Sequence, residues 1–165
     1  MEIRPYRDED RAACRELWRD LTQHHRDLYD DQGIGGDDPG IYFDKYLDDS
    51  KLQGAWVAEE SGEIIGLTGL LKDEKGLEIE PVVVRTGHRD CGIGRRLVEH
   101  MLDEARERGA TSVSIRPVAR NAPAIRRFHE AGFRTLGHLE MFVTLDDRER
   151  DWKPGLDLHG LDFEC

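Results

Sequence analysis

The stretch VVVRTGHRDCGIGRRL, Val82 to Leu97, gathers the residue types that hold an anion. A β-branched strand runs into a basic loop, then into Gly92 and Gly94, then into an amphipathic helical pattern. Glycines let backbone N–H groups turn toward a ligand with no Cβ in the way. The N-terminus of the helix behind them adds roughly half a positive charge. Arg85, Arg89, Arg95 and Arg96, with His88, place side-chain charge on the same turn. The combination suits a pyrophosphate. It is not a Walker loop, because no Gly-Lys-Ser/Thr follows. Nor is it the dinucleotide G-x-G-x-x-G, whose third glycine would fall at Leu97.

A second segment, NAPAIRRFHEAGF (Asn121 to Phe133), lies downstream. With it, the chain resembles the GNAT N-acetyltransferases. Their acyl-CoA loop, Arg/Gln-x-x-Gly-x-Gly/Ala, is matched by Arg89, Gly92 and Gly94. The second segment is similar to their Asn-x-x-Ala-x-x-x-Tyr-x-x-x-Gly-Phe helix. The resemblance covers all but the last 20 residues or so. It implies acetyl-CoA as co-substrate and a mixed α/β fold, a central sheet flanked by helices with a splayed strand pair that admits the pantetheine arm. The strand residues Val82, Val83 and Val84 would border that arm, with backbone groups of Val82 and Val84 pairing to it. Arg89, Asp90, Cys91, Gly92, Ile93, Gly94 and Arg95 would hold the pyrophosphate. Asn121, Ala124 and Phe128 would line the other side of the thioester.

The implied reaction is acyl transfer to an amine by direct attack. A primary amine is mostly ammonium at neutral pH, so a base must take its proton, directly or through water. Glu80 sits nine residues before Arg89, where many family members carry that carboxylate, and is the expected base. Strand alternation puts Glu78 on the same face as a helper; the alternative is that both are solvated strand carboxylates. One departure stands out. The family's helix Tyr, a proton donor to the leaving thiolate, is Phe128 here. His129 is adjacent, but one helical residue is about 100° away. A thiolate with a pKa near 8.5 leaves without strong acid help, so water or no dedicated acid is expected.

Positioning these groups requires a particular order of elements. Ile3–Tyr6 reads as a strand. A helix follows, carrying Ala13, Leu17 and Leu21 at i, i+4, i+8 and running to about Tyr29. The loop Gly33–Gly40 precedes a short helix, Ile41–Leu47, with Tyr42, Phe43 and Tyr46. These aromatics either wall the acceptor pocket or pack helix on sheet. Strands follow at Ala55–Ala58, Ile64–Leu71 and Leu77–Val84. Gly66 and Gly69 mark a bulge or close approach in the second. Pro81 requires the third to be interrupted, bulged or at an edge. A helix from Gly94, stopped by Gly109, carries Leu97, Val98, Met101, Leu102 and Ala105. Then come a strand at Thr111–Ile115, a helix at Asn121–Ala131, and strands at Phe133–Leu136 and Leu139–Leu145. The acetyltransferase domain is thus expected over 1–145. The tail, 146–165, would pack on the domain, pack on a second copy in a homodimer, or be disordered.

Bulk properties exclude other classes. The 165 residues carry a net charge of −11, which disfavours nucleic acid and anionic membranes as partners. The sequence contains no apolar run of transmembrane length, and MEIRPYRDED is too charged for a secretory signal. Cys14, Cys91 and Cys165 fit neither a disulfide framework nor a metal knuckle. A cytoplasmic protein without a bound metal is expected. The charge is uneven. Residues 85–127 hold ten arginines against five acids, while residues 1–50 hold 14 acids against seven basic residues. The first segment suits an anionic co-substrate; the second either steers a cationic acceptor or serves solubility. His24 and His25 either reach the acceptor or serve as surface chemistry at a helix end. Two further readings stay open: an acyl-CoA-binding regulatory domain with little catalysis, and an enzyme using a longer acyl-CoA.

Overall fold

The computed structural model describes residues 1–74, 76–145 and 152–165. The chain divides into two compact units, 1–116 and 117–165. The first is built on a five-stranded sheet in the order β1-β2-β3-β4-β5. Its strands are β1 (Glu2–Pro5), β2 (Leu52–Glu60), β3 (Glu63–Asp73), β4 (Gly76–Val84) and β5 (Val113–Ile115). All neighbours are antiparallel except β4 and β5, which run parallel. The parallel pair follows from chain length: a helical crossover joins β4 to β5, whereas two residues suffice between β2 and β3. At that turn Ser61 and Gly62 both take positive φ, 53° and 83°, as a two-residue hairpin demands.

Helices α1 (Arg11–Tyr29) and α2 (Ile41–Leu47) cover one face of the sheet. Cys14 and Leu17 from α1 meet Phe43 and Tyr46 from α2 over Val57, Leu67, Leu71 and Val83. Each fully buried leucine here contributes on the order of 2 kcal/mol. Helix α3 (Ile93–Glu107) covers the other face. Its Ile93 and Leu97 pack on Ala58 and Ile65. Gly66 permits that approach, since a Cβ there would lie 3.0 Å from Leu97 Cδ1. Gly109, at φ 73°, ends α3, with Ala110 N–H bonding Ala105 O in a Schellman-type stop.

The second unit contains α4 (Ala122–Glu130) and a hairpin of β6 (Pro154–Leu158) and β7 (Leu161–Glu164). Two strand expectations are corrected here. Phe133–Leu136 and Leu139–Leu145 form no strand. Their apolar alternation is real, yet Leu136, Met141, Phe142, Val143 and Leu145 are all exposed. Alternation supplies a face to bury, but a strand also needs a neighbour to take its hydrogen bonds, and this segment has no ladder partner among the described residues. The hairpin falls instead in the polar tail, turning at His159 and Gly160, both at positive φ. Residues 146–151 of that tail lie outside the described residues.

Candidate active site

Strands β4 and β5 pair only through Leu77↔Val113, Glu78↔Ser114 and Ile79↔Ile115. Strand β5 then ends, while β4 continues to Val84. Beyond Ile79 this side of β4 has no ladder partner among the described residues. On the other side of β4, Arg85 N–H bonds Ile65 O at 2.9 Å. Antiparallel ladders alternate bonded and non-bonded pairs. Val83↔Leu67 is therefore the next bonded pair, and Val82 and Val84 turn their main-chain groups away from β3. Those groups face the side where β5 has stopped. Val83 gives its main chain to β3 and its side chain to the core, where it is 3 % exposed.

The loop after β4 leads into α3 through Arg89, Asp90, Cys91 and Gly92. Asp90 and Gly92 take left-handed φ of 63° and 81°. Gly92 is the N-cap of α3, and no side chain caps it. The 15-residue helix thus starts at a residue that brings no capping side chain of its own, which suits a phosphate. The loop residues present fit a pyrophosphate. The arginines are less free than their number implies. Arg85 bonds Ile64 O at 2.9 Å and pairs with Glu63 at 3.2 Å. Arg89 Nε donates to Val84 O at 3.2 Å. Arg95 pairs with Glu99 at 2.7 Å along the helix.

Glu80 lies where β4 bulges. The β3–β4 register passes from Thr68↔Val82 to Leu70↔Ile79, so Glu80 and Pro81 oppose the single residue Gly69. The bulge is what Pro81 requires, since proline has no ladder donor. The Glu80 residue is exposed, yet surrounding protein withdraws enough water from its carboxyl to raise its pKa, and the charge of Asp49 pushes the same way. Such a carboxylate is a better base than a free one. Its main-chain oxygen accepts a 2.6 Å hydrogen bond from Tyr46 Oη. Neither Tyr46 nor Asp49 is identifiable as a neighbour of Glu80 from sequence spacing. The signal, in hindsight, was a glycine on β3 facing a proline on β4.

Glu78, by contrast, is 6 % exposed and bound by the Arg116 guanidinium, which also reaches Asp73. The second unit holds Asn121, Ala124 and Phe128 on one half-buried stripe running from the N-cap along α4. Asn121 Oδ1 caps that helix by accepting from Ala124 N–H at 3.1 Å. Phe128 packs edge-on against Phe133 at 6.4 Å. Of the α2 aromatics, Phe43 is core, Tyr42 is 41 % exposed under Lys45, and Tyr46 does both jobs, ring in the core and hydroxyl at Glu80. Burial and His24 lower the pKa of His25. All three cysteines are free thiols, and burial pushes that of Cys14 up to about 12. A separate cleft of about 430 Å³, lined by Arg4, Asp10, Glu59, Glu63 and Arg85 among others, is crossed by ion pairs among its own walls.

Comparison with known proteins adds to this geometry. The model of the Acetyltransferase (GNAT) family matches residues 11–133. Streptothricin acetyltransferase of Streptomyces lavendulae is 46 % identical over 61 residues, 37 % of this chain and 32 % of that protein. The L-methionine sulfoximine/L-methionine sulfone acetyltransferase of Salmonella typhimurium is 27 % identical over 140 residues, 81 % of this chain and 80 % of that protein. N-acetyltransferase 8 of Rattus norvegicus is 35 % identical over 104 residues, 59 % of this chain; like the streptothricin enzyme, it is matched over less than half its length, 46 %. Among solved structures, a ribosomal-protein-alanine N-acetyltransferase from Brucella melitensis superposes with a TM-score of 0.67 at 22 % identity, over 83 % of this chain and 86 % of that one. That likeness is one of fold.

Proposed function

Because this chain belongs to the Acetyltransferase (GNAT) family, we propose that it transfers an acetyl group from acetyl-CoA to a primary amine, with Glu80 as the base. The observation that carries this reading is Glu80 itself: a carboxylate of raised pKa on the bulge of β4, next to main-chain groups that face an opening in the sheet. Val82 and Val84 would offer the pantetheine arm a strand edge. The loop from Arg89 to Arg95, with Asp90, Cys91, Ile93 and the two glycines, would offer the pyrophosphate its amides. Asn121, Ala124 and Phe128 would line the thioester.

The amine nitrogen attacks the thioester carbonyl carbon, the N–C bond forms and the C–S bond breaks. Glu80 takes the ammonium proton before the attack, directly or through water, and the second proton, freed as the amide forms, passes to water. Coenzyme A leaves as a thiolate, which needs no strong acid. That suits Phe128, which has no proton to give. Glu80 and Asp49 together favour an acceptor that arrives as a cation. Small amines, peptide N-termini and lysine side chains all qualify. The similar proteins named above act, by name, on streptothricin, on methionine derivatives and on a ribosomal-protein alanine. Residues 1–145 act as one acetyltransferase domain in this reading.

The test is thiol release from acetyl-CoA with spermidine, an aminoglycoside, L-methionine sulfone and a peptide with an N-terminal alanine. Turnover with at least one is expected. Glu80→Gln should cut kcat by about 10²–10⁴-fold without abolishing acetyl-CoA binding. Phe128 favours one rival, a regulatory acyl-CoA-binding domain. Tight CoA binding with no thiol release from any amine would establish that rival.

A further inference from the structure

We propose that Tyr46 is a positioning residue for the acetyl transfer, its hydroxyl holding the β4 bulge that aims Glu80; this rests on Glu80 being the base. A bulge leaves its extra residue outside the ladder, so its orientation must be set by something other than strand pairing. At this bulge the Glu80 main-chain oxygen accepts from Tyr46 Oη at 2.6 Å, across 34 residues of sequence. The Tyr46 ring is fixed by Trp18 at 5.3 Å and Phe43 at 6.3 Å, and only 7 % of the residue is exposed. Burial holds its hydroxyl in the neutral, donating form.

Gly69 completes the device. A Cβ at Gly69 would overlap Tyr46 Oη and come within 2.9 Å of Gly54 O. The strand opposite the bulge therefore carries no side chain, and the tyrosine occupies that space to reach β4. The same helix continues into the turn that carries Asp49, whose charge acts on the Glu80 carboxyl. Asp49 is itself held, accepting from Lys51 N–H at 2.8 Å. Helix α2 thus reaches the base twice, through Tyr46 on its main chain and through the Asp49 charge on its side chain. Among the described residues, Tyr46 and Asp49 bear on Glu80, and from β3 the bulge is faced by Gly69, which has no titratable group.

The experiment compares kcat, acetyl-CoA KM and the pH profile of Tyr46→Phe and Gly69→Ala with the wild-type enzyme, using the fastest acceptor of the panel above. Tyr46→Phe deletes one oxygen and keeps the ring packing. It should lower kcat about 10- to 100-fold, the cost of a misplaced catalytic group, with the acetyl-CoA KM little changed. The acid limb should move to lower pH, because a carboxyl free to swing into water loses the desolvation that raises its pKa. Gly69→Ala should show the same shift by displacing the hydroxyl. An unmoved acid limb in a folded Tyr46→Phe enzyme would overturn the proposal, whether kcat is unchanged or falls equally at every pH, provided Glu80→Gln is inactive. Full turnover by Glu80→Gln would overturn it differently, by removing Glu80 as the base.

Discussion

Arg4 shows how a single side chain organises a corner of the first unit. It donates to both oxygens of Asp10, at 2.7 and 2.9 Å, and to Glu59 at 2.7 Å. Asp10 is 5 % exposed, and its carboxyl also accepts from Arg7 N–H. These contacts, Arg4 first, lower its pKa against the opposing effect of burial. Asp10→Asn should therefore cost about 1.5–3 kcal/mol in a urea titration, since it removes one of the two carboxylates that hold the Arg4 guanidinium. The pH sign follows from the same shift. A group whose folded pKa is depressed stabilises above its unfolded value, and that stability is lost as pH falls through the ordinary aspartate range and below. The wild-type protein should lose stability over that range while Asp10→Asn loses less. At this scale the sequence was partly legible. Glu80 could be named as the candidate base from the family resemblance, because its place before the glycine loop is a local spacing. Its partnership with Tyr46 could not, because a 34-residue separation carries no periodicity.

At the scale of elements, α3 bears the clearest consequence. Its N-cap, Gly92, sits at φ 81°, where a Cβ has open space but the wrong backbone conformation. Gly92→Ala should strain the loop by about 1–2 kcal/mol. Calorimetric titration should show weaker acetyl-CoA binding, with kcat at saturating acetyl-CoA little changed. Helices α1 and α3 were readable because each has a periodic apolar face, and α3 also because Gly109 stops it. The short helix Ile41–Leu47 was readable to its ends. The bulge was half-readable: Pro81 demanded an irregularity, but only the register against Gly69 shows its kind. Leu139–Leu145 misled for the opposite reason. Its pattern is local, while strand formation depends on a neighbour that pattern cannot specify.

On the scale of the whole molecule, the net charge of −11 conceals a basic stretch, but the fold spends much of it. Arg95, Arg106 and Arg108 pair with Glu99, Asp103 and Glu104 one helical turn away. Arg116 is taken by Glu78 and Asp73. What remains for an anion is the oriented backbone at the start of α3 more than a field of loose arginines. Surface pairs and steering both weaken with salt, whereas hydrogen bonds from amides in a fixed loop weaken less. The acetyl-CoA KM should accordingly rise only modestly between low and high ionic strength, and kcat should stay level. A steep rise would mean that side-chain charge dominates. No helix among the described residues is long and apolar enough to cross a membrane.

The sequence by itself determined the class of the fold, because strand alternation, helix period and glycine punctuation are written within a few residues of one another, and its resemblance to the family singled out the loop at Arg89–Gly94 and Glu80 as candidates. The tertiary structure alone decided which main-chain groups of β4 face the opening, which arginines are already engaged, and how α2 reaches Glu80. Those depend on register between strands and on the packing of a tyrosine over a glycine. Both are set by residues that meet only after the chain has folded.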